Sequence, residues 1–521
     1  MKTDVHAFAL VPRAHRSSTL VALILVGSAS MGGCQASSSL AAISQPNVIV
    51  MVADDLGWAD VGFHGSVIDT PALDRLAAEG VQLNHFYTTP ICTPTRAALM
   101  TGRDPIRLGT AYGVIQPWHN NGVSPSEHFM PESFEAAGYQ TAMVGKWHLG
   151  HAQQTYHPNE RGFEHFYGHL HTEVGYYPPF ARAGGSDFQE NGTTIDDEGY
   201  ETYLLADEVS RYIEERDKAK PFFIYMPFLA PHTPFDAPDE LKEKYKDYPE
   251  RGEPSRGVGD RFEGAADSIG YESVRALYAA VVDALDQGIS RVLDALDEQG
   301  VANNTIVLFL SDNGGFTPYY WGGASNQPLR GGKAETYEGG IRVVSLMRWP
   351  SRLDGGQMMD QTMTVMDVFP TLADATGIEP QNTRKLDGRS MWPAIADGTE
   401  MPARDDYIYF LSEIPNYGEV SVTAFDEQWK LVQFHKETQT THQVTNELYD
   451  RINDPNEYEN LADEHPQRVE EMAEAIRRWR SLHPIEGVRA SIAGPPGWRA
   501  PKDWASYPQP LDTLQAEEDF G

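Results

Sequence analysis

Two cysteines occur in the 521 residues, Cys34 and Cys92, so no disulfide framework is available to a chain processed near Cys34. A lone cysteine in an oxidising compartment is a liability. Cys92 therefore calls for burial or a chemical purpose, and its setting, Cys92-Thr93-Pro94-Thr95-Arg96, places a proline and a cation beside it. Asp54-Asp55 and Asp312-Asn313 are hard oxygen donors, and no Cys/His cluster suited to zinc accompanies them. Taken alone, an Asp pair after a strand is an ordinary helix N-cap. Lys146, His148, His232 and Lys333 supply cations or proton carriers, each of which alone reads as a surface charge or a satisfied histidine.

The elements around these residues share one pattern. Asn47 to Ala53 is a nearly continuous apolar run, the mark of a strand buried on both faces, and it ends at Asp54-Asp55. Thr141 to Val144 is a strand running into Gly145-Lys146-Trp147-His148-Leu149-Gly150. Phe222 to Phe228 ends at Ala230-Pro231-His232, and Thr305 to Leu310 ends at Asp312-Asn313-Gly314-Gly315. In open α/β sheets ligands gather at the carboxyl ends of strands. Helices are predicted at Pro71 to Gly80, Thr95 to Gly102, Glu132 to Gly138 and, with one apolar stripe from Val274 to Leu296, at Ser273 to Gln299. The fold expected is α/β, a large doubly wound mixed sheet flanked by helices. After Arg404 the character changes: Tyr407 to Leu411, Val420 to Phe425 and Lys430 to Phe434 read as serial short strands, and Gln467 to Leu482 as a helix on them. A smaller C-terminal α+β domain follows.

Cys92-Thr93-Pro94-Thr95-Arg96, continuing through Ala97-Ala98-Leu99-Met100-Thr101-Gly102-Arg103, resembles the C-x-P-x-R motif of the type I, formylglycine-dependent sulfatases of the alkaline phosphatase superfamily. Asp54-Asp55, Gly145 to Gly150, Asp312 to Gly315, Leu329-Arg330-Gly331-Gly332-Lys333 and Glu338-Gly339-Gly340 resemble that family in the same order, as do Glu447 to Asp450 and Asp454 to Leu461. The resemblance implies that a maturation enzyme oxidises Cys92 to formylglycine (3-oxoalanine), whose hydrate attacks sulfur with one hydroxyl and expels sulfate with the other. It implies calcium, with magnesium as the alternative ion, held by Asp54, Asp55, the modified Cys92, Asp312 and Asn313. Arg96 and Lys146 would hold the formylglycine oxygens, with His148 assisting elimination. Lys146, His232 and Lys333 would bind the sulfate, and either His232 or Lys333 would be the general acid. Asp60, His64, Arg103 and Glu338 are read as supporting or packing residues. Trp118, His119, Tyr176, Tyr177, Trp321 and Asn326 either line a sugar subsite or simply pack their loops.

A formal net charge of −34 argues against nucleic acid as a partner and means that an anion site must be a local cluster of cations. Lys2, Arg13 and Arg16 before the apolar run Leu20 to Val26 read as an export signal. That run is too short to anchor in a bilayer. Met31-Gly32-Gly33-Cys34 resembles a bacterial lipobox, which implies lipidation of Cys34, with plain cleavage in the same stretch as the alternative. The organisation expected is a signal over residues 1–34, a linker over 35–45, a catalytic domain over 46–403, an α+β subdomain over 404–485 and a wrapping tail over 486–521. The location expected is the periplasm or the cell envelope, with a membrane contact only through the lipid.

The activity expected is sulfuric ester hydrolysis on a sulfated carbohydrate or aryl sulfate. Trp321 to Glu338 resembles the arylsulfatase group that includes N-acetylgalactosamine-4-sulfatases. Two alternatives stay open: a phosphonate monoester or phosphodiester hydrolase of the same superfamily, and an inactive sulfated-glycan binding protein in which Cys92 remains a thiol.

Overall fold

The computed structural model describes residues 45–506 apart from 172–173, 178–180, 182, 249–270, 318–321, 382–383, 415–418, 438–440 and 492. The export segment, Cys34 and Trp321 lie outside the described residues. Among those described, no helix is long and apolar enough to cross a membrane.

Ten strands form the main sheet. Its middle runs Thr305–Ser311, Asn47–Ala53, Phe222–Pro227, Gln140–Lys146 and His165–His169, all parallel. On one side Ser345–Arg348 runs antiparallel to Thr305–Ser311, followed by Val81–Leu83 and Gln357–Met359. On the other, Gln189–Glu190 and Thr193–Thr194 finish the sheet antiparallel.

The apolar run of the central strand is explained by two cores. Ile49, Met51 and Ala53 face one, Val48, Val50 and Val52 the other. Strand side chains alternate between faces, so a strand covered on both sides must be apolar at every position. The first core is closed by Pro71–Glu79, Glu201–Glu215 and the long helix Tyr271–Glu298, whose Tyr278, Val281, Leu285, Ile289, Val292 and Leu296 are all buried. The second is closed by Cys92–Thr101, Met130–Ala136 and Val368–Thr376.

The C-terminal part is a four-stranded antiparallel meander, Ile408–Ile414, Glu419–Phe425, Trp429–Glu437 and His442–Asp450. The helix Pro466–Arg480 lays Met472, Ala473, Ile476 and Trp479 against Leu411, Val422, Leu431 and Leu448. Three of these strands were expected. The fourth was not, because its first half, His442 to Thr445, is exposed and offers Val444 alone as an apolar residue, with no alternation. The helix expected from Thr95 begins at Cys92 instead. Proline is tolerated in a first helical turn, where its missing N–H has no partner to lose, so Pro94 fits there.

The two parts are welded by a buried charge cluster. Lys430 Nζ, with no exposure, lies 2.9 Å from Glu338 Oε1 and 2.7 Å from Glu457 Oε1. Beyond residue 485 the chain wraps back: Trp504 is buried with its ring 3.8 Å from that of His171, and Trp498 packs edge-on against Trp118.

Candidate active site

The polar residues that end the central strands converge. Asp54 and Asp55 follow Asn47–Ala53, and Asp312 and Asn313 follow the neighbouring Thr305–Ser311, all four buried. Asp312 N donates to Ala53 O at 2.9 Å, which ties the two strand ends together. Asp55 has φ 71° and His148 φ 61°. Left-handed backbone is uncommon for residues other than glycine and concentrates where a site demands a particular orientation.

Cys92 opens its helix with its Sγ 3.6 Å from Asp54 Oδ1. One turn on, Arg96 is wholly buried between two carboxylates: Nη2 is 3.0 Å from Asp54 Oδ2 and 2.8 Å from Asp312 Oδ2. Its Nη1 donates to Lys146 O at 3.1 Å. Lys146 Nζ pairs with Asp54 Oδ2, and Lys333 Nζ sits 2.7 Å from Asp55 Oδ1. His232 Nε2 is 3.7 Å from Asp55 Oδ2, while its Nδ1 meets Thr233 O. One ligating atom each from Asp54, Asp55, Cys92 and His232 lie within 4.8 Å of one another.

Two glycines beside the site residues have a steric reason. A Cβ on Gly314 would sit 1.8 Å from Gly339 O, and one on Gly145 2.0 Å from Pro227 O. The first lets the Asp312-Asn313 turn lie directly on Glu338–Ile341, with Gly314 N donating to Gly340 O at 3.0 Å.

The electrostatics follow from burial and charge. Burial would raise the Asp54 carboxyl, but Lys146 and then His232 and Arg96 hold it well below the usual carboxylate range. Asp312 is pushed up to about 6, by burial and then by its neighbour Asp54. Burial, then Asp54, push the Cys92 thiol far up, so the unmodified side chain is a neutral thiol at physiological pH. Burial alone would lower Lys333, but Asp55 raises it, and it stays charged. His148 is driven well below its ordinary value by burial and by Lys146 and Arg96, and is neutral.

His148 Nε2 lies 3.1 Å from Ile115 O, while its Nδ1 is buried with no hydrogen-bond partner among the described residues. A neutral imidazole that donates from Nε2 keeps a lone pair on Nδ1. Asn313 Oδ1 is likewise buried and unpartnered, although its Nδ2 reaches Asp55 Oδ1 at 2.7 Å. A buried acceptor left without a donor costs about 1–3 kcal/mol. Three carboxylates, an amide oxygen and no crowd of soft ligands form a donor set that fits a hard divalent cation.

The other predicted residues scatter. Asp60 is held by Arg275 Nη2 at 2.7 Å and by Ser325 N, His64 stacks on Trp58, Arg103 forks onto Glu127, and Glu338 binds Lys430 and Tyr87. Of the residues offered either for a sugar subsite or for packing, Tyr176 and Asn326 are buried scaffold. Tyr176 donates its hydroxyl to His232 O, and Asn326 splints Trp58, Gly315 and Gly331. Tyr177 is exposed, while Trp118 and His119 are half-buried on the loop after Ile115. Thr93, not singled out in the sequence, accepts from Ile115 N at 3.1 Å and donates to His148 O at 3.2 Å, so it sets the loop against the histidine. A threonine between a cysteine and a proline carries no signal of that task.

Comparison with known proteins agrees with this arrangement. The sulfatase profile matches residues 46–378, and the profile of the N-sulphoglucosamine sulphohydrolase C-terminal region matches 332–481. Arylsulfatase J of Mus musculus is 35% identical over 70% of the chain, which spans 58% of that protein's length. N-acetylgalactosamine-6-sulfatase of Homo sapiens is 33% identical over 68% of the chain and 67% of its own length. The solved structure of Ps i-CgsB in complex with k-i-k-neocarrahexaose superposes with a TM-score of 0.73 at 31% identity, covering 86% of this chain and 95% of that one. With the Cys92-Thr93-Pro94-Thr95-Arg96 stretch at a helix start, carboxylates at the strand ends and a profile match over most of its length, the chain belongs to the sulfatase family.

Proposed function

We propose that the protein hydrolyses a sulfate ester on a carbohydrate, with aryl sulfates as surrogate substrates, using formylglycine made from Cys92 and a calcium ion. The observation that carries this reading is the seating of Cys92. It lies at the mouth of a buried helix with Asp54 beside its sulfur, and Arg96 one turn later is fixed between Asp54 and Asp312. The carbohydrate class is supported by the relatives named above, one an N-acetylgalactosamine-6-sulfatase and one solved with a neocarrahexaose.

Converted Cys92 supplies two hydroxyls on one carbon, one to attack sulfur and one to expel sulfate afterwards. Asp54, Asp55, Asp312 and Asn313 would hold the calcium ion, which when bound would supply positive charge to the sulfate oxygens and acidify the attacking hydroxyl. Charge balance favours a cation here. The three carboxylates already face Arg96, Lys146 and Lys333, so a divalent ion makes the cluster net positive and able to take a sulfate in a chain of charge −34.

The chain's own residues then divide the work. Arg96 and Lys146 fix Asp54 and the nucleophile's oxygens. Lys333 and His232, both beside Asp55, bind sulfate oxygens, and one of the two delivers a proton to the leaving oxygen as the sulfur–oxygen bond breaks. His148 Nδ1 takes the proton of the second hydroxyl as sulfate departs. Export through the N-terminal segment, lipidation at Cys34 and modification by a formylglycine-generating enzyme belong to the same proposal.

Peptide mass spectrometry across Cys92 tests it, on protein from a host with the maturation enzyme. A mass about 18 Da below the thiol form is expected, as CH2–SH becomes an aldehyde. Folded protein with an intact thiol and no turnover of any ester would favour a glycan-binding role. Bis-aryl phosphodiesters cleaved faster than every sulfate ester would favour the phosphodiesterase alternative.

A further inference from the structure

A second cavity, of about 550 Å³, opens where the C-terminal meander meets the small parallel pair Phe86–Tyr87 and Met363–Thr364. Four arginines line it: Arg342, Arg389, Arg404 and Arg451. It is separate from the Cys92 site. Its inner wall is the buried contact of Tyr87 with Glu338, 2.9 Å between hydroxyl and Oε2, braced by Arg451 Nη2 at 2.6 Å from the same hydroxyl.

The arginines are anchored by one edge and left open on another. Arg342 gives Nε and Nη2 to Asn84, and its Nη1 donates to nothing among the described residues. Arg389 gives Nη1 to Pro402 O, and its Nη2 and buried Nε are unused. Arg404 pairs through Nη2 with Asp367, leaving Nη1 and a buried Nε. Only Arg404 of the four has a carboxylate at ion-pair distance among the described residues. That carboxylate is already shared, since Asp367 also accepts from Thr364 N and Arg389 N. Burial and then the repulsion of Arg404 lower Arg389, while Asp367 and Glu427 act in the opposite sense.

Six carboxylates also line the cavity, and each has contacts or solvent of its own. Glu338 is bound to Lys430, Asp406 caps Tyr407 N and the Tyr409 hydroxyl, and Asp426 accepts from Gln428 N and Trp429 N. Asp360 takes Asn84 Nδ2, while Glu400 and Glu427 are exposed. Three guanidinium groups with spare donors thus line one concavity, where an anion would be held by directed donors and not by a net positive charge. Planar guanidinium forks match tetrahedral oxyanions better than any other side chain.

We propose that this cavity is a second, non-catalytic oxyanion site that takes a sulfate group, either free or carried on a saccharide. The saccharide source rests on the sulfated-carbohydrate reading above; the free-sulfate source does not. Bound there, a sulfate group bridges Arg342 on the α/β side to Arg389 and Arg404 on the segment leading into the meander.

Titration calorimetry on the full chain carrying Cys92→Ala tests this, with inorganic sulfate, a sulfated galactan hexasaccharide and its desulfated counterpart. The expected result is a binding event that Arg389→Gln weakens at least tenfold. Arg389→Gln in the unsubstituted chain should leave aryl sulfate turnover within twofold. Binding of inorganic sulfate alone identifies free sulfate as the ligand. Tighter binding of the hexasaccharide than of sulfate, lost on desulfation, identifies the glycan. Should Arg389→Gln not fold, Arg342→Gln reads the same cavity, and a selenate soak locates the anion by its anomalous signal. The proposal is overturned if neither variant changes binding of any probe, or if selenate leaves the cavity empty while occupying the Cys92 site. Loss of aryl sulfate turnover in the unsubstituted chain would count against the catalytic reading and not against this one.

Discussion

Lys333 spans the carboxylate of Asp55, its Nζ 2.7 Å from Oδ1 and 2.8 Å from Oδ2. Asp55 is closed off from solvent while the Lys333 side chain keeps 15% of its exposure, so of the buried cluster's lysines it is the one that reaches the open side. A charged amine in that position can meet both the sulfate oxygens and the departing oxygen.

Lys333→Ala should therefore lower kcat on an aryl sulfate by about 10²–10³-fold, the range seen when one donor to a developing anion is removed. The burst-free steady-state rate checks this. A loss of less than tenfold would remove Lys333 from contact with the reacting group.

Removal of the metal should act on the fold as well as the rate. Ions that bind only the native state stabilise it by mass action, and the donors here sit at the ends of two central strands. Dialysis against EDTA should lower Tm and abolish turnover together, with calcium restoring both. A melting curve unmoved by chelator would argue against an exchangeable ion on Asp54, Asp55 and Asp312.

Lys430→Met should destabilise the protein by about 3–5 kcal/mol, because Glu338 and Glu457 would be left as buried charges without their partner. Urea unfolding measures the loss. The double variant with Glu457→Gln should recover part of it, since one of the two stranded carboxylates is then neutral.

The Asp286 carboxyl receives the backbone N–H groups of Ala72 and Leu73 at 2.9 and 2.8 Å, at the start of the helix Pro71–Glu79. Burial nevertheless outweighs these bonds and lifts its pKa from 3.8 to about 7. Between those values the native state holds a proton that the unfolded chain has released, so stability falls as pH rises. The contribution is complete below pH 3.8 and gone above about 7. Asp286→Asn should flatten the decline in urea midpoint between about pH 4 and 7, where the wild type slopes downward. Parallel slopes in the two proteins would contradict the shift.

Much of the site was legible because its chemistry is local in sequence. Val48 to Ala53 is apolar at every position, so a doubly covered strand was the economical reading, and the donors follow it directly. The Cys92 motif was legible too, although its helix starts at Cys92 itself and not at Thr95. What escaped the sequence depends on partners far away in the chain. Asp60 meets Arg275, and Tyr176 turns inward to His232 although it sits in a loop where an aromatic face was expected to be open. The helix Glu201–Glu215 was not singled out, though its Leu205, Val209 and Ile213 stripe carries the helical period. The strand His442–Asp450 has no such pattern, being an edge strand whose outer half faces water.

Gly314 and Gly339 touch without any intervening side chain, and the residue before each has a different allegiance. Asn313 belongs to the strand-end cluster, while Glu338 is gripped by Lys430 of the meander. The C-terminal part is thus mechanically in series with the donor turn, and it cannot be treated as a detachable module. Shortening the gene after the α/β region would remove the clamp on Glu338 and leave the position of Asn313 to a loop. In descendants of this sequence, the two glycines and the lysine should change together or not at all.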